Sequence, residues 1–320
     1  MPPSLTPAMV KAEALRLGFV ACGITTLDPV PHAAALDWWL KAGFGGNMRY
    51  INRQAKKRKH PALADTAACR AVVVLDNYYN QTNETGLADE DSKSPRIARY
   101  ARGEDYHRVT LKRLQQLADF LRQYGAQTAR PYVDTGPIPE RELAQRAGLG
   151  WIGKNTMLIR PGLGSWCFIG SVLTDSPLAP DPPMELDHCG SCTRCLEACP
   201  TGAFAAPRLL DARLCISYQT IEHKGAIPPE IAPRLEGWAF GCDICNEVCP
   251  WNHRFAEPTS VTEFVPRDMP GQDRRDLFDA MGEEEFDRRF GDTPLARPGL
   301  QRMRRNWAAA WESIDVRGET

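Results

Sequence analysis

The sequence predicts an α+β protein in which a mixed α/β domain is followed by a small cysteine-rich module and a helical segment. Helical and strand-like patterns are interspersed up to residue 174, and eight of the eleven cysteines lie between Cys189 and Cys249. Beyond residue 258 the chain is polar with helical spacing. Because a helix or a sheet must bury its apolar face against another element, the interspersed patterns favour helices layered on a sheet.

Two segments of the first domain carry the clearest signals. Residues 71–75 read Ala-Val-Val-Val-Leu, an apolar β-branched run typical of a strand buried on both faces. Residues 109–124 place Leu111, Leu114 and Leu121 on one side of an amphipathic helix. The same criteria predict helices over residues 6–17, 31–42 and 139–147, strands over 19–24, 128–133 and 166–174, and a polar, acidic loop over 80–94.

The composition excludes several classes of protein. A hydrophobic fraction of 43% and a charged fraction of 25% are those of an ordinary globular protein. No apolar run approaches the roughly 20 residues that a membrane-spanning helix needs, and the first residues do not resemble a secretory signal. We therefore expect a cytoplasmic protein without a membrane partner. The net charge of −1 argues against attraction of the whole chain to nucleic acid, but a local basic patch remains possible.

The clustered cysteines form two related runs. The first is Cys-x2-Cys-x2-Cys-x3-Cys-Pro, and the second, Cys-x2-Cys-x3-Cys-Pro, is the same motif without its first cysteine. In bacterial ferredoxins the fourth cysteine of such a run binds the other of two 4Fe–4S clusters. Cys215 is the spare thiol that completes the second set. The pattern predicts one cluster on Cys189, Cys192, Cys195 and Cys249, and another on Cys199, Cys215, Cys242 and Cys245.

Zinc and disulfides are the alternatives for this region. Two Cys-x2-Cys pairs can bind one zinc ion, but a zinc site does not account for the complete first run or for its repetition. A disulfide framework is typical of shorter, secreted chains. The scattered Cys22, Cys69 and Cys167 are expected to be small buried apolar side chains.

A proline-rich segment separates the α/β domain from the cysteine module. Residues 175–187 contain four prolines, which is typical of a stiff linker. The sequence therefore predicts an α/β domain over residues 1–180, a ferredoxin-like cluster module over 181–257 and a helical C-terminal segment over 258–320.

The segment 131–159 is the most unusual one outside the cysteines. Asp134 falls where a predicted strand ends and Thr-Gly-Pro turns the chain, so its carboxylate either faces a cleft or caps the turn. Gly148, Gly150 and Gly153 have the spacing of a dinucleotide-binding loop. They follow a predicted helix rather than a strand, so the structural context of that motif is missing and we reject NAD binding.

Motifs along nearly the whole chain resemble those of the epoxyqueuosine reductase family. The Asp-Thr-Gly-Pro run at 134–137 continues to Glu140 and Arg141, and Cys-Pro-Trp-Asn occupies 249–252. The other matching segments are residues 99–101, 105–107, 148–156, 215–218, 220–225 and 241–243.

The resemblance implies an enzyme that reduces epoxyqueuosine to queuosine at the wobble position of tRNA. It implies cobalamin as a cofactor, used as cob(I)alamin and supplied with electrons by the two 4Fe–4S clusters, which depend on an external electron donor. It also implies a nitroreductase-like α/β domain that binds the cobalamin. We expect a monomer that recognises the anticodon stem-loop.

The resemblance also implies roles for particular residues. Asp134 matches the family's general acid, since the departing epoxide oxygen needs a proton donor. Such a donor is expected to have a pKa raised by a partly dry, apolar site. Asp105, Tyr106 and His107 are candidates for the same cleft. The candidates for contact with cobalamin are Lys57, Arg58, Tyr100, Lys154, Asn155, Ser217 and Tyr218.

Two basic stretches are candidates for contact with tRNA phosphates. Residues 53–59 hold five cations, and residues 302–305 hold three arginines. Cationic contacts to the phosphate backbone supply most non-specific affinity for nucleic acid. Many family members continue into a HEAT-like helical repeat module, which is absent from this sequence, so we expect a stem-loop to suffice as substrate.

Two other functions fit parts of the sequence. A reductive dehalogenase-like corrinoid enzyme also joins two 4Fe–4S clusters to cobalamin, but neither a twin-arginine signal nor the context of its catalytic tyrosine is visible here. A non-catalytic ferredoxin-type electron carrier would leave the first 180 residues without a ligand. Retention of added cobalamin would separate an enzyme from a simple carrier.

Overall fold

The computed structural model describes residues 4–80 and 94–318. The helices are α1 Pro7–Arg16, α2 Ala33–Lys41, α3 Arg49–Lys59, α4 Tyr106–Gln123, α5 Glu140–Arg146, α6 Arg194–Glu197, α7 Ile216–Ile221, α8 Ile244–Glu247, α9 Pro250–Phe255, α10 Glu283–Phe290 and α11 Leu300–Gly318. The strands are β1 Ala21–Thr26, β2 Arg70–Asn77, β3 Arg96–Ile97, β4 Ala129–Val133, β5 Trp151–Ile152, β6 Leu158–Ile159, β7 Cys167–Thr174, β8 Phe204–Ala206, β9 Leu209–Leu210 and β10 Trp238–Phe240. Most of the predicted loop over 80–94 lies outside the described residues.

The α/β domain is built on a four-stranded antiparallel sheet in the order β1-β2-β7-β4. Successive side chains of a strand point to opposite faces. On β2, Val72 and Val74 therefore face α1 and α4, while Val73 and Leu75 face α5. Both faces of the sheet are covered, which is why β2 reads as a continuous apolar run.

The helices and strands predicted for the first domain are all present, with ends displaced by a few residues. The mixed α+β class is therefore confirmed. Helix α3 was not predicted, and the reason is that it buries none of its residues and has no apolar stripe. Among the described residues, no helix is both long and apolar enough to cross a membrane.

The second half of the chain packs tightly onto the first. β10 pairs in parallel with β3, which belongs to the segment predicted as the first domain. A shared hydrophobic core joins Ala101, Phe240, Phe278 and Trp307. The cores therefore cross the predicted domain boundaries, and the proline-rich segment 175–187 connects parts of one packed body.

The C-terminal segment is helical only in its second part. Within the described chain, residues 258–282 contain a single turn of 3-10 helix, Thr262–Phe264, before α10 and α11 begin. The prediction of helix from residue 258 onward is wrong here because Pro258, Pro266 and Pro270 interrupt the helical hydrogen-bond pattern.

The three glycines with dinucleotide-loop spacing lead into the β5–β6 hairpin. A Cβ on Gly150 would lie 2.4 Å from the carbonyl oxygen of Ile159, and one on Gly148 would lie 2.7 Å from that of Pro182. These glycines allow backbone segments to approach one another, so their spacing serves packing and not a phosphate.

Candidate active site and cluster loops

A cleft of about 610 Å³ lies between the α/β domain and the C-terminal half of the chain. Tyr100 and Asp134 line one side, and Ile221, Phe240 and Arg297 line the other. Its volume falls in the range typical of small-molecule and cofactor sites. Two aspartates and a glutamate lie among the apolar residues of its walls, which suits a reaction that requires a proton donor.

Asp134 stands at the end of β4 in an uncommon backbone conformation. Its φ of 52° lies in the left-handed region, which a non-glycine residue rarely adopts. Its backbone N–H donates to Oε1 of Glu140 at 2.6 Å. Its Oδ2 accepts hydrogen bonds from the hydroxyl of Tyr106 at 2.8 Å and from Nε2 of His107 at 3.2 Å. Backbone strain of this kind clusters at functional sites.

The start of α4 positions the partners of Asp134. Asp105 caps the helix by accepting from the backbone N–H of His107, and it also bonds Nδ1 of the His107 ring at 2.7 Å. The Tyr106 ring stacks on Phe168 of β7 at 4.1 Å between ring centroids. His107 therefore contacts a carboxylate through each ring nitrogen.

The pKa of Asp134 differs from the prediction. Burial pushes the pKa of Asp134 upward, but hydrogen bonds from His107 and Tyr106 outweigh it and lower the pKa below its usual value. The expected raised pKa of Asp134 is therefore wrong for this arrangement. Burial opposes protonation of His107, yet its bonds to Asp105 and Asp134 raise the pKa of His107 to about 9.

Glu140, on the first turn of α5, adds a second unusual carboxyl group. Burial, reinforced by the charge of Asp134, raises the pKa of Glu140 to about 8. Arg58 donates to the carbonyls of Gly136 at 3.4 Å and Ile138 at 3.1 Å, so it braces the loop between Asp134 and Glu140.

Tyr100 is the one predicted cobalamin contact that lines the cleft. Arg58 supports the Asp134 loop, and Lys57 is exposed on α3. Tyr218 is buried, and its hydroxyl accepts from the backbone N–H of Asn47 at 2.7 Å.

The other predicted contacts lie at the cysteine loops. Nζ of Lys154 donates to the carbonyls of Gly190 at 2.7 Å and Cys192 at 2.9 Å. Asn155 is buried, and its amide donates to the carbonyl of Cys245 at 3.3 Å. Ser217 is half-buried close to Cys215, whose thiol its backbone N–H contacts. These three residues shape the cluster loops and do not reach the cleft.

Four cysteines surround a cavity of about 190 Å³ near the surface: Cys189, Cys192, Cys195 and Cys249. Trp151 donates its indole N–H to Sγ of Cys189 at 3.4 Å. Burial and then the neighbouring Cys189, Cys249 and Cys192 raise the pKa of Cys195. These four thiols form the first set predicted from the sequence.

The second predicted set is also drawn together. Burial raises the pKa of Cys242 well above its usual value, and Cys245 and Cys215 add to the effect. Burial raises the pKa of Cys215, with a further contribution from Cys199. All eleven cysteines are free of disulfide bonds. Within residues 4–80 and 94–318, no three histidine, cysteine or acidic side chains converge as a site for a single metal ion.

The scattered cysteines are packed into the α/β domain. Burial raises the pKa of Cys22 to about 12, and it also raises that of Cys167. Sγ of Cys69 lies 3.4 Å from the carbonyl oxygen of Asp175. Each of these three side chains is half-buried in the domain, which is close to the prediction of small buried apolar side chains.

Several residues in and around the cleft were not predicted from the sequence. Arg297 and Glu222 form an ion pair at 2.6 Å, and the positive charge of Arg297 helps to lower the pKa of Asp134, after burial and its hydrogen bonds. Glu222 and Glu140 lie within the segments that resemble the family's motifs, so the sequence did contain a signal for both residues. Arg297 lies outside those segments.

The two basic stretches behave differently. On α3, Arg53, Lys56 and Lys57 are exposed, whereas Lys59 is paired with Asp37 at 2.8 Å. The arginines at 302, 304 and 305 all donate to backbone carbonyls of the fold. These guanidinium groups therefore hold α11 in place, and contact of residues 302–305 with tRNA phosphates stays a prediction.

Two family models match separate parts of the chain. The model described as a 4Fe-4S double cluster binding domain matches residues 188–252, and the model of epoxyqueuosine reductase QueG matches residues 58–135. The cysteine loops and the acid-lined cleft thus define an oxidoreductase with a double 4Fe–4S cluster domain.

Full-length comparisons identify the family. The chain is 41% identical over 308 residues to the epoxyqueuosine reductase of Pseudomonas aeruginosa, covering 96% of this chain and 85% of that relative. It is 41% identical over 311 residues to the enzyme of Xanthomonas campestris, covering 96% and 86%. The chain belongs to the epoxyqueuosine reductase family.

Solved structures show the same fold. An epoxyqueuosine reductase with an epoxyqueuosine-modified stem loop of tyrosine tRNA superposes with a TM-score of 0.87 at 30% identity, covering 96% of this chain and 81% of that one. The Bacillus subtilis enzyme, solved with its catalytic aspartate loop swung out of the active site, superposes with a TM-score of 0.84 at 29% identity over the same shares.

Proposed function

We propose that this protein reduces epoxyqueuosine to queuosine at the wobble position of tRNA, in the cleft beside Asp134. The observation that carries the proposal is the convergence of an aspartate on a strained loop with two sets of cluster cysteines in one packed body. Family membership names the reaction, and the relative bound to a modified stem loop names the class of substrate.

The reaction requires two electrons and two protons. Converting an epoxide to an alkene breaks two C–O bonds, reduces the two carbons by two electrons and releases the oxygen as water. Each 4Fe–4S cluster passes one electron at a time, so an external one-electron donor must act twice per turnover. We propose that Asp134 passes protons to the departing oxygen, which is a poor leaving group without them.

We propose that the cleft holds cobalamin. Its volume and the apolar and aromatic side chains in its mixed walls suit a large ring, and Tyr100, Phe240 and Arg297 would contact it. Bound there, cobalamin supplies a metal centre at which single electrons are gathered for a two-electron reduction. Tyr100 keeps its proton in this setting, because burial raises its pKa far above the usual value.

The two sets of cysteines lie at different distances from the cleft. Phe240 lines the cleft, and two residues later Cys242 belongs to the second set. Between them Gly241 packs so closely that a Cβ would lie 2.6 Å from that of Ala98. The first set lines a separate surface cavity. We propose that electrons enter at the first set and leave for the cleft from the second.

This arrangement assigns a task to each predicted region. Residues 1–180 would hold the cofactor and Asp134, residues 181–257 would carry the clusters, and residues 258–320 would close the cleft through Arg297. The exposed cations of α3 would contact tRNA phosphates. Such a protein would work in the cytoplasm, where its tRNA substrate is found.

The decisive experiment is anaerobic incubation of the reconstituted protein with epoxyqueuosine-modified tRNA, cobalamin and a reductant, followed by nucleoside analysis. The wild-type protein should form queuosine, and Asp134→Asn should form none while it still binds the clusters and cobalamin. Single-turnover conversion by Asp134→Asn would rule out its role as the acid. Absence of queuosine with the wild-type protein would rule out the function.

A further inference from the structure

The two-proton requirement raises a question about the supply of protons to Asp134. One carboxyl group carries one proton, yet both protons end on the same oxygen atom. The lowered pKa of Asp134 means that its side chain is ionised in the resting site. A neighbouring group must therefore load Asp134 before each transfer.

Two side chains donate to Oδ2 of Asp134 among the residues that the structure describes. Tyr106 is a poor proton source, because burial raises its pKa well above the usual value. His107 is the better source, since its Nε2 lies 3.2 Å from Oδ2 and its Nδ1 is held by Asp105 at 2.7 Å. Its side chain is 24% exposed, so the ring borders both the cleft and solvent.

We propose that His107 loads Asp134 with each of the two protons that leave on the epoxide oxygen. This inference rests on the proposed reduction of an epoxide beside Asp134. In each step the proton on Nε2 of His107 moves to Oδ2 of Asp134 as Asp134 passes a proton to the departing oxygen, and the much greater basicity of that oxygen draws the proton out of the ion pair. His107 then takes a proton from solvent, and the second step completes the water molecule.

The surroundings of His107 favour its protonated form. Asp105 at the start of α4 and Asp134 after β4 face the ring directly, and Glu140 on α5 lies behind Asp134. Arg297, from the C-terminal segment, opposes them but is paired with Glu222 on its own side of the cleft.

His107 acts in the relay only when it is protonated, so its pKa sets the pH dependence of turnover. With a pKa of about 9, His107 is protonated at neutral pH and loses its proton as the pH rises through 9. Turnover that depends on this relay should therefore be constant near neutrality and fall above about pH 9.

The experiment compares His107→Gln and His107→Ala with the wild-type enzyme from pH 6 to 10, using reconstituted protein and epoxyqueuosine-modified stem-loop. We expect the rate of His107→Gln to be about 100-fold lower, within the range for loss of a general acid or base. Its fall above pH 9 should disappear. Added imidazole should restore part of the activity of His107→Ala. His32→Gln is the control, because His32 is exposed just before α2.

Two further measurements separate a proton-supply role from loss of structure. Iron content and stem-loop affinity of the His107 variants should match the wild type. The His107 ring, followed by NMR, should titrate near pH 9 and at lower pH in Asp105→Asn. If the wild type makes queuosine, Asp134→Asn does not, and His107→Gln keeps the normal rate and pH profile, the relay is excluded. If the wild type makes no queuosine, the proposed function itself has failed.

Discussion

At the scale of single residues, the conformation of Asp134 depends on a neighbouring carboxyl group. The left-handed φ of Asp134 turns its backbone N–H toward Oε1 of Glu140, which accepts at 2.6 Å. Glu140 begins α5, and Arg58 braces the loop between the two acids. The strained conformation of Asp134 is therefore stabilised by a hydrogen bond to Glu140, only six residues later, and by the contacts of Arg58 with the loop between them.

Removal of the Glu140 acceptor should misplace Asp134. We expect Glu140→Ala to lower turnover about tenfold, because the backbone N–H of Asp134 would lose the hydrogen bond that helps to hold its left-handed conformation. Glu140→Gln keeps an acceptor oxygen and should retain most activity. Glu142→Ala on the same helix is the matched control, and equal rates for all three variants would contradict this role.

At the scale of elements, helix α3 presents cations that packing does not use. Arg53, Lys56 and Lys57 are exposed, and the helix buries none of its residues. By contrast, the arginines near the start of α11 bind backbone carbonyls on neighbouring segments. Of these two similar runs of positive charge, one is therefore used in packing, and the other leaves three cations exposed.

A charge change on α3 should weaken binding of RNA. We expect Lys57→Glu to lower affinity for the stem-loop and to reduce the salt dependence of binding by about one counterion. Affinity titrations at several salt concentrations measure both effects. Arg16→Glu on α1, also an exposed cation, should leave them unchanged; identical salt slopes for both variants would remove α3 from the interface.

The β5–β6 hairpin links the α/β domain to the first set of cysteines. Gly150 precedes Trp151, whose indole N–H reaches Sγ of Cys189. A Cβ on Gly150 would lie 2.4 Å from the carbonyl oxygen of Ile159, so the two backbone segments would have to separate. A substitution at Gly150 should therefore disturb the loop that contains Cys189.

The Gly150→Ala substitution should destabilise the protein by about 1–3 kcal/mol, the usual effect of overpacking. We expect a lower melting temperature and faster loss of iron on dilution, measured under anaerobic conditions. Gly282→Ala is the control, because nothing lies within 4 Å of a Cβ at Gly282. Similar melting temperatures for both variants would show that the hairpin relaxes at little cost.

At the scale of the whole molecule, the two sets of cysteines differ in their position relative to the cleft. The first set borders a surface cavity, and the second follows directly on Phe240 in the wall of the cleft. Burial raises the pKa values of Cys242 and Cys245 in the second set. The set beside the cleft is the one proposed to pass electrons to the substrate, and the set at the separate cavity is the one proposed to receive them from an external donor.

Substitution within one set should remove one cluster. We expect Cys192→Ala and Cys245→Ala each to contain about half of the wild-type iron and sulfide, because each set binds a separate cluster. Cys69→Ala lies outside both sets and should keep the full content. Unchanged iron in either of the first two variants would show that the ligand sets have been assigned wrongly.

Local spacing let the sequence determine much of this protein. The buried run at residues 71–75 shows β2, and the two Cys-x2-Cys-containing runs show the cluster loops, because both patterns concern residues close together along the chain. The position of Asp134 at the end of a strand was also predicted from its local context, whereas its role as an acid was implied by the family resemblance. Short loops constrain their own side chains, so such features can be predicted without a structure.

Only the tertiary structure decided what surrounds Asp134. His107 and Tyr106 begin α4 and Arg297 comes from the C-terminal segment, and together they lower the pKa of Asp134, which was expected to be raised. Packing likewise directed Lys154 to the cysteine loops instead of the cleft. Protonation depends on charges and hydrogen bonds within a few ångströms, and distances of that kind are set by the packing of distant segments against one another.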